Sequence, residues 1–66
     1  MDVLKRVKEV FSSIDLVEAY AFVKSIDDSV ESIKDMVEMA FEVCERDEEE
    51  MFLVIENWKQ QYEEEE

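Results

Sequence analysis

Hydrophobic positions recur at helical spacing along most of this 66-residue chain, and polar clusters interrupt them where helices should end. Val3, Val7 and Val10, with Leu4 and Phe11 alongside, form a first stripe over residues 2–12. Asp2 precedes that stripe as a candidate N-cap. Beyond Ser12-Ser13 the stripe jumps to the other face. Leu16, Ala19, Tyr20, Val23 and Ile26 fall nearly opposite Val3, Val7 and Val10 if one helix is extended at ~100° per residue. The jump predicts a break between 12 and 16, with Asp15 capping a new helix and Glu18 at the reciprocal position of a capping box. This second helix, 16–26, leaves only Glu18, Lys24 and Ser25 polar, the pattern of a central helix.

Asp27-Asp28-Ser29 predicts a turn, and the Asp28–Glu31 spacing predicts a third helix over 29–46. The stripe from Ile26 through Val30 and Ile33 is almost unbroken, so a continuous second and third helix also fits the phase. The third helix carries two opposed faces. Val30, Ile33, Val37, Ala40 and Cys44 are apolar, with Met36 and Phe41 at the margins. Glu31, Asp35, Glu38, Glu42, Glu45 and Glu49 alternate steps of four and three, which stacks carboxylates along one side. Asp47 and Glu50 then predict a fourth helix over 48–63. Its stripe is Met51, Val54, Ile55, Trp58 and Tyr62, while Leu53 points almost the other way; a single helix over 29–63 also fits. Glutamates beside a negative helix end predict a frayed acidic tail at 63–66. The expected fold is all-α: one small domain, 1–66, built as a bundle of three to four short helices, with homodimerisation as one way to complete its core.

Charge changes the picture most. Twenty acidic residues face seven basic ones, a net charge of −13. Such a surface is a poor partner for free DNA or RNA, whose binding rests on cationic contacts to phosphate. It is equally poor for an anionic membrane. A basic protein surface is its natural complement. Lys5, Arg6 and Lys8 sit near the positive end of the first helix, so they are expected to pair with acidic neighbours elsewhere in the fold. Glycine and proline are both absent, which removes the commonest turn and C-cap residues. A core of this size supplies only ~3–5 kcal/mol without a staple. One cysteine and no histidine exclude an intramolecular disulfide and the usual zinc sites. At 47% hydrophobic residues the chain is too apolar for a disordered acidic tail. Leu16–Val23, the longest apolar-rich stretch, is far short of the ~20 residues a membrane span needs. The start does not resemble a signal peptide, and the free thiol fits a reducing compartment, so a cytoplasmic location is expected.

Candidate chemistry is sparse. There is no histidine, and no serine has a base at recognisable spacing. Cys44 lies on the apolar stripe among carboxylates, the setting of a buried, inert thiol. Asp47–Glu50 lacks the alternating ligands and central glycine of a calcium loop. No catalytic residue, cofactor or metal is therefore expected. The six carboxylates from Glu31 to Glu49 span ~27 Å if they share one helix, with charges about 5–6 Å apart, broadly like those of one nucleic-acid strand. They are the candidate partner-binding face, set against the plainer reading of a solvated side that keeps the protein soluble. Phe22, Phe52, Leu53, Trp58 and Tyr62 are hard to fit on one side of one small bundle; Phe52, Leu53, Trp58 and Tyr62 form a candidate aromatic patch for a partner or a second copy, set against the plainer reading that they complete the monomer core. The expected function is a non-enzymatic acidic interaction module, an adaptor or inhibitor. Its target would be a basic surface, such as that of a nucleic-acid-handling protein whose groove it fills by charge mimicry. The alternatives are a structural homodimer without a separate ligand and, third, a carboxylate-dependent enzyme or metal-binding protein.

Overall fold

The computed structural model describes residues 2–64, which form four α-helices and no strand: α1 (Val3–Val10), α2 (Ser13–Ile26), α3 (Ile33–Val43) and α4 (Glu48–Glu64). The all-α expectation holds, and each of the three breaks is present. Neither continuous alternative occurs, because polar side chains take over backbone groups at each junction.

Asp2 caps α1 as expected, its carboxylate accepting from the Lys5 N–H at 3.3 Å. The next helix starts earlier than its hydrophobic phase suggested. Phe11 is extended, and Ser12 caps α2 by accepting from the Asp15 N–H at 3.1 Å while Asp15 accepts from the Ser12 N–H at 3.2 Å. Asp15 is thus the third residue of a capping box rather than its first, and Ile14 and Val17 join the helix off its buried side. The third helix is shorter than expected at both ends. Ser32, not Asp28, is its N-cap, and Asp27 instead accepts from the Ser29 N–H and hydroxyl at 3.0 and 2.6 Å. The Val30 carbonyl accepts from the Tyr20 hydroxyl at 3.4 Å, so Val30 is buried from a loop and not from a helix.

At its other end α3 stops without glycine. The Arg46 N–H reaches the Phe41 carbonyl at 2.9 Å and the Glu45 N–H reaches Glu42 at 3.1 Å, the bonding of a Schellman motif. Glu45 and Arg46 adopt φ of 55° and 65°, left-handed conformations that glycine usually supplies. Asp47 then caps α4, its carboxylate accepting from the Glu49 and Glu50 N–H groups at 3.0 and 3.3 Å. Helix α4 runs to Glu64, and Lys59 lies one turn below Glu63 at 3.9 Å; the tail expected at 63–66 falls partly outside the described residues. The last two residues lie outside the described chain.

The core is small and wholly apolar. Val7, Met36, Val37, Met51 and Ile55 have no solvent-accessible surface, joined by Leu16, Ala19, Val23, Val30 and Ala40. A radius of gyration of 10.7 Å matches the ~11 Å of a folded chain this long, so compaction prevails over the acidic self-repulsion. The closest helix packing is between α2 and α4, whereas α3 packs on each of the other three. Helix α2 shares the closest packing of the fold with α4 and also packs on α3, yet its apolar surface wraps most of its circumference, and Ile14, Val17 and Ile26 remain exposed.

Candidate functional site

All six predicted carboxylates face solvent, but they do not share one helix. Glu31 precedes the Ser32 cap, Glu45 occupies the left-handed corner, and Glu49 lies in the first turn of α4. The corner at 44–47 ends the line that the spacing implied. Asp35, Glu38 and Glu42 alone form a ridge on α3, covering about 10 Å of its axis rather than ~27 Å. Two have local partners: Asp35 accepts from the Glu31 N–H at 3.3 Å, and Glu42 meets Arg46 at 3.5 Å.

The predicted aromatic patch disperses. Phe52 is half-buried against Phe11, with ring centroids 6.3 Å apart and planes tilted by 58°. Leu53 is 67% exposed on the far side of α4. Trp58 is half-buried beside Val23, Ile26, Asp27 and Met39, around a cavity of about 210 Å³. Tyr62 lies against Ile14 and Val17 of α2. Helical rotation separates these side chains: Phe52 and Trp58 pack against the core from different sides, Tyr62 borders α2, and Leu53 points to solvent.

What the structure assembles instead is a groove of about 550 Å³ between the start of α1 and the length of α3. Val3, Leu4, Val37, Met39 and Phe41 give it an apolar lining. Asp2, Asp35, Glu38 and Glu42 supply its carboxylates, against Lys34 and Arg46 as its cations. The sequence marked the α3 acids with Val37 and Phe41 on the same helix, but not Leu4 beside them, because Leu4 joins them only through the packing of α1 on α3. A second surface went unread for a simpler reason. Ile14 is 69% exposed and Val17 54% exposed, and both became helical neighbours only once α2 began at Ser12.

Ion pairs are few. Arg6 meets Glu48 at 3.6 Å, bridging α1 to α4, and Lys59 meets Asp15 at 3.2 Å, bridging α4 to α2. The expected pairing of the α1 cations holds for Arg6; Lys5 and Lys8 make no ion pair among the described residues. Cys44 is half-buried rather than buried. Desolvation, then Glu50 and Asp47, push its thiol above the ordinary value of 9.0, the opposite of what a nucleophile needs. Among the described residues no group of three or more Cys, Asp or Glu converges as a metal site, and no helix is long and apolar enough to cross a membrane. The chain matches no protein-family model, and no curated protein or solved structure shows significant similarity to it.

Proposed function

We propose that this protein is a non-enzymatic acidic interaction module that engages a basic surface of another protein through α3. One observation carries the reading: Asp35, Glu38 and Glu42 all face solvent at helical spacing along a groove with an apolar lining. Complementary potentials steer such encounters and fix their register. The supporting context is a net charge of −13, an excess of carboxylates that the seven cations of the chain cannot pair. The reading rests on a three-carboxylate ridge, so it covers basic targets in general, nucleic-acid-handling proteins among them, and does not need a rail as long as a nucleic-acid strand.

The test is affinity capture from cytosol with the wild-type chain and with Asp35→Asn/Glu38→Gln/Glu42→Gln, followed by elution in rising NaCl. A basic protein held by the wild type, released by salt and absent from the variant is the expected result. An identical retained set on both proteins would sink the proposal.

A second reading, a structural homodimer, is favoured by the exposed Ile14 and Val17 beside Tyr62. Sedimentation over a range of protein concentrations separates the two. A dimer abolished by Ile14→Ser/Val17→Ser favours it, and a strict monomer eliminates it.

A further inference from the structure

The groove between α1 and α3 also specifies the shape of the partner, an inference that rests on the reading above. We propose that it receives a cationic amphipathic α-helix of another protein, with apolar side chains seated on Val3, Leu4 and Phe41 and Lys or Arg facing Asp35, Glu38 and Glu42. Three observations converge on this occupant.

The first is spacing. Asp35, Glu38 and Glu42 stand at i, i+3 and i+7, so their charges step about 4.5 and 6 Å along the axis. A second helix laid along α3 presents cations at the same intervals, whereas an extended segment repeats a face every ~7 Å. The described residues form no strand, so there is no sheet edge to recruit an extended peptide. The second is length. Helix α3 has 11 residues and runs about 16 Å, room for roughly three turns of a neighbour. The third is precedent within the fold. Helix α3 already accepts an amphipathic helix on one flank, since α1 packs there with Val7 fully buried. The precedent covers apolar packing alone: Arg6 of α1 pairs with Glu48 of α4, and among the described residues no α1 cation takes up an α3 carboxylate. The open flank offers Val3, Leu4 and Phe41, all half-buried, with Asp2, Asp35, Glu38 and Glu42 beside them against Lys34 and Arg46. Helix-in-groove recognition needs this pairing of an apolar trough with a charged rim.

The probe is a synthetic Leu/Lys peptide with leucines at i, i+3, i+4 and i+7. Its control has the same composition, scrambled so that the leucines share no face. Amide chemical-shift mapping and titration calorimetry read the binding. The amphipathic peptide is expected to bind about tenfold more tightly than the scrambled one and to shift amides of Val3, Leu4 and Phe41. Glu38→Gln/Glu42→Gln should weaken it about tenfold, and the charge-matched pair Glu9→Gln/Glu18→Gln much less.

Equal binding of both peptides, with the ridge pair still decisive, overturns the helix-in-groove inference and leaves the acidic-module reading standing. Equal loss from both variant pairs overturns both. Shifts centred on Ile14 and Val17, or groove shifts that follow this protein's own concentration without peptide, also overturn the inference.

Discussion

The Asp15 carboxylate closes the capping box of α2 and also meets the Lys59 ammonium of α4 at 3.2 Å, so one side chain starts one helix and ties it to another. The Ser12 hydroxyl, then the Ser12 N–H and last Lys59, hold the Asp15 carboxyl below its ordinary 3.8. Asp15 in turn raises Lys59 above 10.5. A lowered acid contributes stability that is present above 3.8 and lost as pH falls through its folded value. A raised base contributes stability that is present below 10.5 and lost as pH rises through its folded value. The difference in Tm between wild type and Asp15→Asn should therefore be flat between those limits and shrink beyond each. Melts monitored by circular dichroism across pH check this; a difference independent of pH at both extremes would contradict it.

Ser12 carries the uncharged half of the same cap. Ser12→Ala should cost about 0.5–2 kcal/mol, read from urea midpoints at unchanged slope. Ser13→Ala, one residue into the helix, serves as the comparison and should change little.

Glu45 is held at φ 55° at the end of α3, where a side chain is disfavoured. Glu45→Gly should stabilise the fold by about 0.5–1 kcal/mol, the relief of left-handed strain less the added freedom of the unfolded chain. Removing one carboxylate from a chain of net charge −13 acts in the same direction. Glu45→Gln separates the contributions, since it changes charge without relieving the backbone.

Helix α4 offers a paired test of burial. Ile55 is fully buried and Leu53 is 67% exposed on nearly the opposite face. Ile55→Ala should cost roughly 2–5 kcal/mol, comparable with the ~3–5 kcal/mol that a core this small provides, so that variant should be largely unfolded. Leu53→Ala should stay within about 0.5 kcal/mol. Far-UV circular dichroism at room temperature distinguishes them.

Acidic self-repulsion should yield to salt. Raising NaCl from about 0.01 M to about 1 M shortens the Debye length from ~30 to ~3 Å and should raise Tm, while any complex formed through the α3 ridge weakens. Opposite salt responses of folding and binding are expected from the same exposed carboxylates. A Tm that falls with salt would show that the ion pairs outweigh the repulsion.

How legible each part was depended on whether neighbouring residues alone decided it. Local chemistry marked the number of helices: Asp2 and Asp47 do cap, and the phase jump after Phe11 is a true break. The α2 start was blurred because Ser12–Asp15 and Asp15–Glu18 have the same spacing, and only the geometry of Phe11 selects the first. The α3 start was blurred because Asp28–Glu31 and Ser32–Asp35 share a spacing; Ser32 takes the cap, and the tertiary bond from Tyr20 to the Val30 carbonyl holds the segment before it. The exposure of Asp35, Glu38 and Glu42 followed from their own periodicity. Their grouping with Leu4 did not, since it exists only once α1 lies against α3.

Two thioethers, Met36 and Met51, stand at the heart of the protein with no accessible surface. Peroxide can convert them to sulfoxides only when the bundle opens, and a sulfoxide placed there is polar where every neighbour is hydrocarbon. Burial thus confines their oxidation to the opened chain: each opening event caught by the oxidant leaves a sulfoxide that opposes closing until it is reduced.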